Sequence, residues 1–329
     1  MDRCSITRAA RAADSLAEAA RALAIVALLA APGAKGAEET RAAALPPSDV
    51  SWRDGLRFQL GVEGMPDVAF RDAGVSWLRA TGQLSLQGPV SERWAAGVSL
   101  SADWLSPRAD AEASFLPQTA GGGEALRDLL ESNLRIGARR TIREHWTAGA
   151  ELYLTAKLEP GAELGRSLKG GSVLAVGYQP SDALLFAAGA KIGSRFDHAG
   201  AYAWPVLRVQ WQATDRLELE LHNANLRLAY ELRDHIELLG FGAVRADRYR
   251  LELREVGALA ARPGTIGIRD ATVGVGLRWT ANEHVRVIAM LGAVVWQRLL
   301  VNDADADRIE SRTAHGAAPS ASLRLQARF

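Results

Sequence analysis

The sequence predicts an all-β fold: a transmembrane, antiparallel, up-and-down β-barrel of about fourteen strands. Three observations carry that expectation. The chain closes on a strand that alternates to its last residue. Leu323, Leu325, Ala327 and Phe329 lie on one face, and Ser322, Arg324, Gln326 and Arg328 on the other. A short turn recurs between strand-like runs, alternating with longer irregular connections. The tryptophans fall at strand ends, in two belts.

Bulk composition is compatible with this. The chain has 329 residues, a formal net charge of +1 and 48 % hydrophobic residues. A near-neutral charge argues against nucleic acid as a partner. Mean hydropathy is −0.05, but barrel strands hide their hydrophobicity by alternation. No segment beyond the N-terminus approaches the ~18–20 uninterrupted apolar residues of a membrane helix.

The N-terminus reads as an export signal. Arg3, Arg8, Arg11 and Arg21 form a long basic region, and residues 22–31 an apolar stretch. Pro32 and Gly33 break the stretch, and Ala34-Lys35-Gly36 supplies small residues for cleavage. Residues 1–36 are therefore expected to be a signal peptide, 37–55 an N-terminal periplasmic tail and 56–329 the barrel. The lone Cys4 lies inside the signal, so the exported chain needs no disulfide chemistry.

The turn pattern is a polar residue, an acid, usually Arg or His, then a large apolar residue. It occurs at Ser91–Trp94, Arg143–Trp146, Ser181–Leu184, Thr214–Leu217, Arg233–Ile236 and Asn282–Val285. Asp, Asn and Ser bond to nearby backbone and suit tight hairpins. Between these turns lie residues 64–74, 106–130, 159–170, 197–203, 255–267 and 301–318, read as longer loops. The connection at 223–225 falls on the loop side by parity, yet is short. Within 106–130, Glu124–Leu130 is a candidate helix at the barrel mouth or a plug.

Strands on this frame are 57–63, 75–87, 94–105, 132–141, 146–158, 171–179, 184–196, 204–212, 217–222, 226–232, 236–248, 269–280, 285–298 and 320–329. The count is even, so both ends of the barrel fall on the periplasmic side. It drops to twelve if Leu217–Leu232 fails to form a hairpin. Alternation is clearest in Leu217–His222, Leu226–Leu232, Val273–Trp279 and the terminal strand. A one-residue register error would exchange the two faces.

In this topology Trp94, Trp146, Trp211 and Trp279 mark periplasmic strand ends, and Trp77, Trp104, Trp204 and Trp296 extracellular ends. Indole favours the membrane–water interface, so these eight are the expected girdles. Leu323, Leu325 and Phe329 are the expected assembly signal of the closing strand. Partners that follow are the outer-membrane bilayer and the barrel-assembly machinery during insertion.

The stretch from Trp204 to Phe329 resembles a family of bacterial barrels of unknown function. The similar segments are Trp204–Trp211, Arg216–Leu221 through Leu226–Leu232, Asp247–Leu251 and the terminal strand. The resemblance implies a Gram-negative outer-membrane barrel and no particular activity.

Chemistry is sparse. His145, His235 and His284 sit in turns, and His198 and His315 in loops. Only His222 is placed like a rim base, and no Ser–His spacing, His-x-x-x-His or acidic pair supports it. Asp303, Asp305 and Asp307 lack the glycine and distal Glu of a calcium loop. Gly121–Gly123 has no strand–helix phosphate frame. No cofactor, metal site or enzyme activity is expected. The alternative is a hydrolase acting on lipid or peptide at the rim, which needs a Ser and an acid beside His222.

The lumen face holds more. Its candidates are Arg135, Arg139, Arg208, Gln210, Glu218, Glu220, Arg227, Glu231, Arg278, Arg286, Arg324, Gln326 and Arg328. Arg in lipid costs roughly 2–4 kcal/mol at the midplane, so these face water or one another. Two readings are compatible: a ladder of cross-strand ion pairs, and a constriction selecting small hydrophilic solutes by charge. The arginine excess leans towards anionic or polar solutes. The expected function is a porin-like passive channel or a structural surface barrel.

Overall fold

A computed structural model describes residues 55–70, 73–109, 127–194, 200–252, 263–303, 308–314 and 316–329. The expected signal peptide, the tail with Trp52, Gly121–Gly123, His198, Asp305, Asp307 and His315 lie outside the described residues.

Fifteen strands follow in order: β1 (Gly55–Phe70), β2 (Ala73–Ser91), β3 (Trp94–Ala109), β4 (Leu129–Arg143), β5 (Trp146–Leu158), β6 (Leu168–Ser181), β7 (Leu184–Ser194), β8 (Ala201–Thr214), β9 (Leu217–His222), β10 (Asn225–Arg233), β11 (Ile236–Arg250), β12 (Pro263–Thr280), β13 (Val285–Asp303), β14 (Arg308–Thr313) and β15 (Ala318–Arg328). One helical turn, α1 (Leu164–Ser167), joins β5 to β6. Each strand pairs antiparallel with its sequence neighbour as far as β13, and β13 pairs with β15. β15 then pairs with β1, so fourteen strands close a barrel, and β14 lies beside the far end of β13.

Closure has the predicted register. Arg57 faces Arg328, Leu60 faces Leu325 and Val62 faces Leu323. The hairpin of β9 and β10 forms, pairing Leu217 with Tyr230 through His222 with Asn225. That settles the strand count at fourteen in the wall.

The recurrent turns work as their chemistry dictates. The Thr214 hydroxyl accepts the N–H groups of Arg216 at 3.3 Å and Leu217 at 3.1 Å. The Asn282 carbonyl oxygen accepts those of His284 and Val285, both at 2.9 Å. His235 takes a positive φ of 70°, the left-handed backbone that tight hairpins use.

The long connections contain more strand than expected. Residues read as loop at 64–74 continue β1 and β2, with a bulge between Met65 and Val68. Those at 301–318 extend β13 and form β14. Alternation is broken by such bulges, which hides the continuation from a periodicity reading. Leu129 and Leu130, the end of the candidate helix, begin β4.

The faces separate cleanly. Leu60, Val62, Leu86, Leu100, Ile136, Leu152, Leu174, Leu207, Val275 and Leu291 all stand exposed on the outside. An apolar band of that kind is a lipid-facing wall. Inside, buried charged side chains alternate with small residues, and an apolar cluster fills the loop end.

Candidate functional site

The lumen is built by strand parity. Odd residues of β1 to β7 and even residues of β8 and β9 point inward; β10 and β11 return to odd, and β12 and β15 are even. All thirteen candidate lumen residues fall on that face. The structure brings them into three groups.

The first group is an ion-pair ladder on β8, β9 and β10. Arg208 bonds Glu220 at 2.5 Å, and Arg227 bonds both Glu220 at 2.8 Å and Glu218 at 3.0 Å. Gln210 donates to Glu218 at 3.1 Å. The registers explain it: Glu220 stands opposite both Gln210 and Arg227, and Glu218 opposite Gln212 and Ala229. Long guanidinium arms then reach diagonally along the pleat.

The second group lies at the turn end. Arg278 pairs with Glu237 directly across β11 and β12. Glu231 faces Glu237 in register. On the strands that follow, Arg57 stands opposite Arg328 and Ser85, and Arg286 opposite Gln326 and Thr280. None of those cross-strand positions is acidic. Arg139 occupies the same level of β4, beside Ala95 and Gly149. The turn-end lumen therefore carries acids on β10 and β11, and guanidinia on β12, β13, β15, β1 and β4. Gln326 donates to Gln59 at 3.0 Å just above. A cavity of about 310 Å³ opens among Glu218, Glu231, Glu237 and Arg278.

The third group surrounds a chamber of about 590 Å³ in mid-lumen. Arg135 lies on its wall and pairs with Glu151 at 3.5 Å. Arg324 lines the chamber too. Most of the remaining lining is amide, hydroxyl and glycine: Gln59, Gln83, Ser99, Ser101, Asn133, Thr272 and Ser322 among them. Gln83 donates to Ser99 at 3.1 Å.

Above the chamber lies a layer that strand alternation alone did not single out. Arg245 holds Glu63 with two bonds of 2.6 Å and Asp270 at 3.2 Å. Asp247 receives Lys157 at 2.8 Å and Arg79 at 3.2 Å, and Lys157 also reaches Glu131 at 3.3 Å. Single charges such as Arg79 and Lys157 lie far apart in the chain and meet only because the barrel is round. Nearest the rim, Met65, Phe70, Trp77, Leu105, Leu129, Tyr249, Ile266 and Leu299 pack into a dry cluster. Among the described residues, this cluster packs the loop end of β1 to β4, β11 to β13 and β15.

A smaller cluster lines β5 to β8. Lys191 lies 4.6 Å from the Tyr153 ring centroid, and the Tyr153 and Tyr202 hydroxyls are 2.9 Å apart.

The tryptophans divide. Trp94, Trp104, Trp146, Trp211 and Trp279 stand exposed on the outer face. Trp146 packs on Tyr178 at 4.7 Å, and Arg140 sits 5.5 Å over Trp94. Trp296 faces Ala271 and is half-buried. Trp77 and Trp204, expected in the girdle, are elsewhere. Trp77 shares the inward parity of Arg79 and is 3 % exposed within the rim cluster. Trp204 stands opposite the buried Lys191 and so faces the lumen. Both indoles therefore point to the inward face, not to the outer face that a girdle requires.

Leu323, Leu325 and Phe329 are exposed on the outer face of β15. His222 lines the chamber with Arg208 and Asn225 as its cross-strand neighbours. Neither is an acid or a serine, so the register gives the hydrolase reading no triad.

No protein-family model matches the chain, and no curated protein matches it. Solved structures do. The chain is similar to an outer membrane channel from Pseudomonas putida at 11 % identity, over 84 % of this chain and 96 % of that one, with a TM-score of 0.45. It is similar to a Pseudomonas aeruginosa FadL homologue at 12 % identity, over 83 % and 90 % of the two chains, with a TM-score of 0.44. The deltaS2 mutant of the TodX monoaromatic hydrocarbon channel matches at 14 % identity, over 84 % and 91 %, with a TM-score of 0.43. The likeness is one of fold.

Proposed function

We propose that this protein is an outer-membrane channel for small hydrophilic solutes, with a weak preference for anions set at its turn end. The observation that carries this is the polar chamber of about 590 Å³ inside a wall whose outer face is apolar. A barrel that served only as a surface scaffold could fill its lumen with interlocking side chains, as small barrels do. Here the middle of the lumen is open and hydrogen-bonding, while charges on its wall, such as Arg135 with Glu151 and Arg245 with Glu63, are held by ionic partners.

The anion preference follows from the guanidinia of Arg286 and Arg328 on adjacent strands, whose cross-strand neighbours Gln326, Thr280 and Arg57 are not acidic. Confined charge of one sign raises the local concentration of the opposite ion. The ladder glutamates are already engaged by Arg208 and Arg227, so they attract cations weakly.

Planar-bilayer recording of the refolded protein tests the reading. Discrete conductance steps, with a reversal potential shifted towards the anion, are expected. A fully inserted barrel that stays silent under applied voltage and passes no sugar in liposome swelling would overturn it.

A further inference from the structure

The loop end presents an anomaly of topology. β5 and β11 stand six places apart in the strand order, with β6 to β10 between them. Yet Leu158 and Arg250 pair as parallel neighbours, and the Glu159 N–H donates to the Arg250 carbonyl at 2.8 Å. The upper part of β11 therefore reaches across the mouth and docks on β5. The Glu159 carboxylate fastens the contact, accepting the N–H groups of Glu252 at 2.9 Å and Arg127 at 3.2 Å. Three residues below Arg250, Asp247 takes Lys157 from β5 and Arg79 from β2.

We propose that this contact is a gate: the upper β11–β12–β13 sheet is a flap, latched shut on β5 by Asp247. The proposal rests on reading the barrel as a channel. Three features distinguish a flap from a fixed plug.

The first is pairing. β10 leaves β11 at the Leu226–Gly242 pair, whereas β12 stays with it up to Arg250. Above Gly242, β11 has no backbone pair with β10, and only side-chain bonds, Asn225 to the Val244 N–H at 3.2 Å and Arg245 to Glu63, tie it to β10 and β1 below the latch. It can swing with β12 and β13 without breaking the wall below.

The second is glycine. Gly240 and Gly242 lie at that departure point, and a Cβ at either would meet nothing closer than 3.7 Å. Packing does not demand glycine there, while glycine inside a strand weakens it and permits bending.

The third is the bond type. The side chains of Asp247, Lys157 and Glu131 are 2 %, 4 % and 1 % exposed. The desolvation of such a buried set nearly offsets its attraction. Hydrating it in an open state is therefore cheap, and the apolar rim cluster is what keeps the resting state shut. Removing the Asp247 charge takes one counter-charge from each of Arg79 and Lys157, Lys157 keeping Glu131, and favours opening.

The test uses the full chain with Cys4→Ser, which leaves no other cysteine. Ser101→Cys, on the chamber wall, is the reporter, and the rate of its modification by a membrane-impermeant maleimide added to intact cells is read. Asp247→Asn should speed labelling roughly tenfold or more. A Leu158→Cys, Arg250→Cys pair, oxidised, should abolish it, and reduction should restore it. The pair leaves Asp247 and Lys157 untouched, so it remains informative if Asp247→Asn folds poorly; heat-modifiable gel mobility reports folding of each variant. Equal labelling rates in the native, Asp247→Asn and oxidised proteins would overturn the gate. Conductance of the same variants separates the two readings. Labelling that responds in barrels that never conduct sinks the channel and keeps the gate. Conductance that ignores the disulfide sinks the gate and keeps the channel.

Discussion

Leu56 and Phe329 exchange both of their backbone hydrogen bonds: the Leu56 N–H donates to Phe329 at 3.1 Å and the Phe329 N–H to Leu56 at 2.9 Å. The last residue of the chain is thus a full member of the seam that closes the barrel. Its ring stands 73 % exposed on the outer face. An edge left unpaired at a seam invites mispairing, so the last bonds matter beyond their number. Deleting Phe329 should slow insertion and raise the fraction of unfolded protein on a heat-modifiability gel. Phe329→Tyr, which keeps the backbone pair and an aromatic, should assemble normally. Unimpaired assembly of the deletion would count against this role.

The ladder offers a second prediction. Arg227 touches Glu218 and Glu220, whereas Arg208 touches Glu220 alone among these acids. Arg227→Ala therefore removes one bond from each of two carboxylates, Glu220 keeping Arg208 and Glu218 keeping Gln210, and should cost about 1–3 kcal/mol in urea unfolding, the range for hydrogen bonds to charged groups. It should also turn the mid-lumen field towards cations, moving the reversal potential in a potassium chloride gradient. Because Glu220 is shared, Arg208→Ala and Arg227→Ala should not be additive. Simple additivity would show that the shared carboxylate does not couple them.

Much of this was legible before any coordinates. Alternation in Leu217–His222 and the terminal strand separated their two faces, and β5 and β9 carry the bounds read from sequence. The turns were legible because Asn282 and Thr214 cap them by local side-chain bonds. What sequence could not show depends on curvature. Glu63 and Arg245 are 182 residues apart and Arg79 and Asp247 are 168. No local pattern marks either pair; each exists only because inward faces of distant strands meet across a closed lumen. Bulges did the rest of the concealment, as at Met65–Val68, where a periodicity reading ends the strand and the backbone continues.

The turn-end arginines give a third prediction. Arg286 and Arg328 lie on neighbouring strands, and Arg328 faces Arg57. Like charges directly opposite are destabilising, so stability alone gives no reason for the arrangement. Arg286→Gln with Arg328→Gln should leave the melting temperature unchanged or raise it slightly. The anion preference of the conductance should fall. The loss should be larger at 0.01 M salt than at 1 M, where screening shortens the field to ~3 Å. A selectivity unchanged at low salt would remove these residues from the conduction path.

The two kinds of tryptophan supply the fourth. Trp77 and Trp279 were both expected in the interface girdles, at opposite strand ends, but one is in the apolar rim cluster and the other on the outer face. Trp77→Ala opens a core void and should cost about 3–5 kcal/mol. Its indole Nε1 is buried and has no hydrogen-bond acceptor among the described residues. Trp77→Phe therefore removes an unmet donor together with part of the ring, and its cost should be well below that of Trp77→Ala. Trp279→Ala leaves no void, since lipid fills the space, and should cost less than Trp77→Ala. The ordering Trp77→Ala above Trp279→Ala, measured by unfolding in one lipid, follows from which side of the wall each indole occupies. The reverse ordering would place Trp77 outside the barrel core.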